Sequence, residues 1–150
     1  MIDVFSDAWI VSALAGLVGL MIGSFLNVCT LRWPEDESVV FPGSHCPKCG
    51  EPIRWYDNVP VLGYVLLRGR CRACREPISL QYPLVELATG LVWTGMFSYA
   101  GLSFEALRGT LLLTILFGIA LTDARFYIIP DQFSLGGLVL GLGLAFLPGG

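Results

Sequence analysis

Four cysteines in two closely spaced pairs are the clearest chemical signal in this sequence. Each pair has the form Cys-x-x-Cys, and 21 residues separate one pair from the other. Four thiolates at such a spacing suit tetrahedral Zn²⁺, which binds sulfur at about 2.3 Å. With four protein ligands no position stays open for water, so the metal is predicted to be structural. The predicted ligands are Cys46, Cys49, Cys71 and Cys74.

The sequence around these cysteines repeats itself, which favours two similar knuckles facing one metal. Residues 46–53 read Cys-x-x-Cys-x-Glu-Pro-Ile, and the same pattern recurs 25 residues later at 71–78. Two disulfides or free thiols are the alternative, but a cytosolic loop is kept reduced. His45 is interpreted as a solvated loop residue rather than a ligand. The fifth cysteine, Cys29, is expected to pack at the end of a helix.

Asp123 is the second candidate for chemistry, because it directly follows an uncharged apolar run. Ionisable groups at membrane depth are costly and are therefore functional candidates, although an interfacial Asp can also simply end a helix. Aspartic catalysis needs two carboxyl groups that share a proton. Asp131 follows Pro130, and it could meet Asp123 only if the chain doubled back, so the two are not paired here. Glu86 lies early in a predicted helix, where a dipole-stabilising role and a functional role are both open.

Membrane helices must position these groups, because the composition is that of a membrane protein. Apolar residues make up 55% of the chain and charged residues 14%, against about 25% charged in soluble domains. This composition argues against a soluble globule and excludes a disordered tail. We expect an all-α polytopic membrane protein with about four transmembrane helices and a small cytoplasmic, zinc-ribbon-like loop of four cysteines. The predicted spans are residues 8–28, 83–100, 107–122 and 133–147.

Three segments are predicted: a first transmembrane helix at 1–31, the four-cysteine loop at 32–82, and membrane core at 83–150. The loop holds seven of the nine Lys and Arg residues, which places it in the cytosol and the N-terminus outside. Asp123 then lies at the cytoplasmic boundary. Gly19 and Gly23 form a Gly-x-x-x-Gly pattern that lets another helix approach closely. A net charge of −3 argues against a basic nucleic-acid binder.

Several motifs, taken in order, resemble those of the bacterial type IV prepilin peptidases, and the resemblance runs from about residue 16 to 137. Asn27, Arg32 and Glu86 belong to them. The matching segments are 23–34 (Gly-Ser-Phe-Leu-Asn-Val-Cys-Thr-Leu-Arg-Trp-Pro), 42–49 (Pro-Gly-Ser-His-Cys-x-x-Cys), 58–60 (Asn-Val-Pro), 69–74 (Gly-x-Cys-x-x-Cys), 82–86 (Tyr-Pro-x-x-Glu) and 123–131, which begins with Asp and ends with Pro-Asp.

This resemblance implies a multi-pass membrane aspartic protease of the GxGD type in the bacterial inner membrane. Such enzymes remove the leader of type IV prepilins and type II secretion pseudopilins at the cytoplasmic face. Many then methylate the new N-terminus from S-adenosylmethionine, for which no binding residue can be assigned here. The first catalytic aspartate falls on Asp123.

The second catalytic aspartate of that family lies in a Gly-x-Gly-Asp motif, which these 150 residues lack, since Gly143 is followed by Leu144. Either the chain is a fragment of a longer protein or the missing half is supplied elsewhere, and little or no peptidase activity is expected from these residues alone. The alternative is a membrane-anchored zinc-ribbon module that binds a cytosolic partner and catalyses nothing. That alternative explains the cysteines and helices but not Asp123 and its ordered neighbours.

Overall fold

A computed structural model describes residues 4–146 of the chain. Within that range the protein is built from helices and contains no β-strand. Short 3-10 turns at Trp33–Glu35 and Trp55–Asn58 accompany the helices. In chain order the helices are α1 (Val4–Arg32), α2 (Leu62–Leu66), α3 (Gln81–Ala100), α4 (Phe104–Phe126) and α5 (Asp131–Ala145).

The helical class is confirmed, and each predicted span falls on a helix, although the span 133–147 runs past Ala145, where α5 ends. Two stretches, Ala8–Glu35 and Phe104–Phe126, are long and apolar enough to cross a membrane by length and composition. The helix Asp131–Ala145 is apolar but shorter. The first residues of segment 1–31, the end of the span 133–147 and the end of segment 83–150 lie outside the described residues.

Small residues on α1 let α3 pack directly against its backbone. A Cβ atom added to Gly23 would lie 2.8 Å from the Cα of Glu86, and one added to Gly19 would lie 2.7 Å from the Cβ of Trp93. The packing role predicted for the Gly-x-x-x-Gly pattern is therefore confirmed. The order of these contacts also shows that α1 and α3 run antiparallel.

Helices α4 and α5 complete the bundle as an antiparallel hairpin. On the α3 side, the indole N–H of Trp93 donates to the hydroxyl of Thr114 at 3.1 Å. On the α5 side, the Nη2 of Arg108 near the start of α4 donates to the carbonyl of Leu144 near the end of α5 at 2.8 Å. One end of the bundle, called here the loop end, therefore contains the end of α1, the start of α3, the end of α4 and the start of α5.

An apolar cluster closes the bundle at the loop end. Phe133 of α5 meets Trp33 edge to face, with the ring centroids 4.7 Å apart. Leu26, Cys29 and Val85 are buried beside it. This packing fixes the base from which the cysteine loop emerges.

Candidate metal centre and membrane-face carboxylates

The two Cys-x-x-Cys segments fold as matching knuckles. In the first, the backbone N–H of Cys46 donates to the carbonyl of Glu51 and that of Gly50 donates to the carbonyl of Cys46, both at 2.9 Å. The second knuckle repeats both bonds 25 residues later, at 2.8 and 3.1 Å, within residues 71–76. The sequence repeat is therefore a structural repeat.

The knuckles bring the four thiols to one point. All four Sγ atoms lie within 4.8 Å of one another, with Cys46 to Cys74 at 3.8 Å and Cys49 to Cys71 at 4.0 Å. A regular tetrahedron of sulfurs around Zn²⁺ has edges of about 3.8 Å, given bonds of about 2.3 Å. The predicted clustering of the four cysteines is confirmed, and the donor set fits a closed zinc site.

Backbone hydrogen bonds favour the anionic form of the sulfur at Cys46. The pKa of the Cys46 thiol is lowered to about 6, chiefly by the backbone N–H groups of Cys49 and Lys48. Such N–H groups favour the thiolate, which is the form that binds metal. All five cysteines are free of disulfides.

Each knuckle turns through one residue with a positive φ, and the two positions differ in chemistry. Gly50 has φ +73° and Arg75, its counterpart in the repeat, has φ +62°. Glycine adopts this region without steric cost, whereas an L side chain does not. The backbone of the first knuckle is therefore unstrained at Gly50, whereas the backbone of the second knuckle is strained at Arg75.

An ion pair ties the second knuckle to the turn before α2. Arg72 donates from Nη2 to Oδ1 of Asp57 at 2.6 Å and from Nε to Oδ2 at 2.7 Å. Its guanidinium also lies 5.6 Å from the ring centre of Tyr56. The hydrogen bond from Arg72 lowers the pKa of Asp57, and Asp57 in turn raises the pKa of Arg72.

Two residues near the end of α1, Asn27 and Arg32, hold the stem of the loop. Arg32 donates from Nη1 to the carbonyls of Ser38 and Pro42, each at 2.8 Å. Asn27 is fully buried and donates from Nδ2 to the carbonyl of Tyr82 at 3.1 Å. The sequence motifs contained both residues, but only the fold shows that they fasten the two ends of the loop.

Glu86 makes the contact that sequence reasoning missed. Glu86 is 7% exposed, and its carboxylate accepts the backbone N–H of Val61 at 2.7 Å. Val61 has φ +62° and ψ −48°, and the N–H of Leu62 reaches the carbonyl of Pro60 at 2.6 Å. This is a γ-turn with positive φ, a strained conformation for a β-branched residue. No local pattern in the sequence marks it.

The two aspartates of the motif at residues 123–131 lie on the hairpin. Asp123 is exposed near the end of α4, and its carbonyl accepts the N–H of Tyr127 at 2.9 Å. Asp131 is the exposed first residue of α5, and Pro130 caps that helix. Only four residues separate the two helices. The chain therefore does double back, and both carboxylates lie at the loop end of the bundle.

The remaining candidates are where the sequence placed them. His45 is exposed, with Nδ1 3.0 Å from the carbonyl of Gly43. It is not among the residues of the four-sulfur cluster. Cys29 is buried with 2% exposure beside Leu26 and Phe133. Packing therefore accounts for Cys29.

Comparison with known proteins matches both the loop and the helices. The family profile of the bacterial peptidase A24 N-terminal domain matches residues 17–100. A prepilin leader peptidase/N-methyltransferase of Myxococcus xanthus (strain DK1622) is 42% identical over 130 residues, which is 87% of this chain and 39% of that protein. One of Klebsiella pneumoniae is 42% identical over 142 residues, covering 88% and 62%.

A third relative of that name, from Neisseria gonorrhoeae, is 36% identical over 163 residues, covering 90% of this chain and 57% of the relative. The chain thus spans less than two thirds of the length of these curated relatives. No solved structure matches it.

Proposed function

This chain belongs to the bacterial A24 peptidase family, and we propose on that basis that it serves in a prepilin leader peptidase/N-methyltransferase. The observation that carries the proposal is the 42% identity over 130 residues to a relative of that name. The substrates are then type IV prepilins or type II secretion pseudopilins. They would be cut at the membrane surface and methylated on the new N-terminus.

We propose Asp123 as one carboxyl group of an aspartic pair that activates water for peptide cleavage. In such a pair one carboxyl group is ionised and takes the proton of water, while the other is protonated and donates to the scissile carbonyl. The exposure of Asp123 at the loop end supports this role. The second carboxyl group is the Gly-x-Gly-Asp aspartate that the family resemblance implies.

The proposed setting is the bacterial inner membrane, with four spans, the N-terminus outside and the loop in the cytosol. Most of the basic residues lie in the loop, as the positive-inside rule requires. The antiparallel order of α1, α3, α4 and α5 supports it, because alternate crossings leave Asp123 and the loop on the same side. Segments 1–31, 32–82 and 83–150 are then anchor, metal-binding loop and peptidase core.

The proposed metal is structural Zn²⁺ on Cys46, Cys49, Cys71 and Cys74. The ion would cross-link the two knuckles and leave no position for substrate or water. Because the loop has little apolar core, metal binding would supply much of its folding energy. For the methyl transfer we propose S-adenosylmethionine as donor, as the family resemblance implies.

A chimera tests the catalytic assignment. The matching 130 residues of the Myxococcus xanthus relative would be replaced by those of this chain and assayed on a synthetic prepilin in membranes. We expect Asp123→Asn to abolish cleavage by the chimera. Asp131→Asn is the matched control, being exposed at the same end of the hairpin, and should retain cleavage.

Each outcome bears on a different part of the proposal. Cleavage that survives Asp123→Asn but not Asp131→Asn would move the catalytic role to Asp131. Cleavage that survives both would contradict an aspartic mechanism on this hairpin. A zinc-loaded chimera without peptidase or methyltransferase activity would favour the non-catalytic zinc-ribbon module.

A further inference from the structure

Helix α2 presents an apolar face that nothing in the described chain covers. Leu62, Val65 and Leu66 lie at positions i, i+3 and i+4, so they share one face of the helix. Their exposed fractions are 59%, 62% and 76%. The opposite side carries Gly63, which is buried against the backbone of Asp57. The helix is therefore held by one side and leaves three large aliphatic side chains outward.

Positive charge borders this α2 face. A cavity of about 310 Å³ is lined by Leu66 and Leu67 together with the arginines Arg68, Arg72 and Arg75. Among the described residues, the ion pair that involves these arginines is the one between Arg72 and Asp57. Residues 62–80 contain four arginines and a single acid, Glu76. The apolar face thus meets a basic rim that keeps most of its charge.

The α2 face also lies beside the membrane domain. Val61, which directly precedes α2, is bonded to Glu86 in the second turn of α3. Near the same end of α3, Leu80 is 63% exposed and Leu84 is 60% exposed. The aliphatic surface of α3 and that of α2 therefore begin at the same level of the bundle.

We propose that the α2 face, with Arg68, Arg72 and Arg75 around it, docks on the anionic headgroups of the leaflet at the loop end. Leu62, Val65 and Leu66 enter the boundary between headgroups and acyl chains, as the apolar side of an interfacial helix does. Arg68 and Arg75 pair with lipid phosphates, to which each basic residue adds attraction, while Arg72 stays in its ion pair with Asp57. The inference depends on the membrane setting and not on catalysis.

Photocrosslinking in nanodiscs tests the proposal on the full chain. Benzoylphenylalanine would replace Leu66, or Lys48 as a control, since Lys48 is exposed on the other knuckle. Nanodiscs would contain phosphatidylcholine alone or phosphatidylcholine with phosphatidylglycerol. We expect lipid adducts at position 66 but not at 48, with phosphatidylglycerol preferred.

Charge variants in the position-66 background test the rim. Arg68→Gln and Arg75→Gln should each lower the preference for phosphatidylglycerol by about fivefold. Lys48→Gln is the matched control and should leave the preference unchanged. Protease resistance of the loop, compared among variants, separates lost docking from unfolding.

Two results would overturn the inference. If position 66 forms no more lipid adduct than position 48, or crosslinks to protein instead, the α2 face does not contact the bilayer. If adducts form equally with both lipid mixtures in intact and arginine-substituted chains, the basic rim recognises no anionic headgroup.

Discussion

The carboxylate of Glu86 on α3 accepts the backbone N–H of Val61 at 2.7 Å, across 25 residues of chain. The acceptor is almost fully buried, and the donor belongs to a γ-turn that a valine adopts only under strain. One hydrogen bond thus joins the packed helices of the bundle to a strained turn of backbone in the loop. Removing it should free the loop without disturbing the bundle.

Replacing Glu86 tests this connection. Glu86→Ala should destabilise the docked loop by about 1–3 kcal/mol, because the Val61 N–H loses its acceptor. Glu86→Gln keeps an acceptor oxygen and should lose less. Hydrogen exchange at residues 61–63 is the measurement. We expect exchange to be fastest in Glu86→Ala, slower in Glu86→Gln and slowest in the wild-type protein. Equal exchange in all three would show that the turn is held by other contacts.

Cysteine substitution tests the metal site against an internal control. Cys71→Ser should lower bound zinc below one equivalent and make the loop sensitive to protease, because a closed four-sulfur site loses one ligand. Cys29→Ala removes the buried cysteine outside the cluster and should leave zinc unchanged. Metal analysis of purified protein and limited proteolysis are the readouts. Full zinc retention in Cys71→Ser would exclude the four-thiolate site.

Because Gly50 and Arg75 occupy equivalent positions in the two knuckles, substitutions at these positions should have opposite effects on the stability of the loop. Gly50→Ala places a side chain at positive φ and should cost about 1 kcal/mol. Arg75→Gly relieves the same strain, partly offset by glycine's entropy in the unfolded chain, for a net gain of about 0.5 kcal/mol. Resistance of the loop to thermolysin over a temperature range would measure both. Changes of the same sign would contradict the equivalence of the knuckles.

Close packing of α1 on α3 predicts a cost for enlarging Gly23. Gly23→Ala should destabilise the bundle by about 1–3 kcal/mol, because the new Cβ meets backbone rather than a movable side chain. Gly95→Ala is the control, since a Cβ there meets nothing within 4 Å; alanine in a helix should be neutral or stabilising. Thermal unfolding in detergent compares them, and equal melting temperatures would refute the close approach.

The Asp57–Arg72 pair predicts a defined pH dependence. The pKa of Asp57 is lowered by Arg72, so the stabilisation is fully present above the carboxyl's ordinary pKa of about 3.9 and is lost as pH falls through the lowered value. Asp57→Asn should therefore speed hydrogen exchange at residues 54–58 by the same factor at pH 6 and pH 8, after correction for intrinsic rates. A factor that changes between these pH values would contradict the assignment.

The parts of the structure that could be predicted from the sequence are those that depend on residues close together in the chain. The cysteine repeat predicted both knuckles, because each is closed by hydrogen bonds within a short segment, residues 46–51 in one and 71–76 in the other. The positions of the helices were predicted from the apolar runs. The helices extend beyond those runs because backbone hydrogen bonding continues into flanking residues; α3, for example, starts at Gln81 and not at Pro83.

Contacts between distant segments were not predictable in the same way. In the sequence, Glu86 looks like any acidic residue near the start of a helix, and Val61 looks like one of several apolar residues in the loop. Their meeting depends on how the loop folds back over α3. The approach of Asp131 toward the end of α4 likewise depended on a four-residue connection that the sequence alone left open.

The hydrogen bond from Asn27 to Tyr82 has a consequence for how the loop can be exchanged. It fastens the point where the chain leaves α1 beside the point where it returns to α3, independently of the cysteines. The segment between them is therefore an insertion whose two ends the helical bundle already holds together. It should behave as a removable cassette. A short glycine-serine bridge from residue 36 to residue 80 would leave α1 and α3 packed, and the excised cassette would fold in water only with its metal.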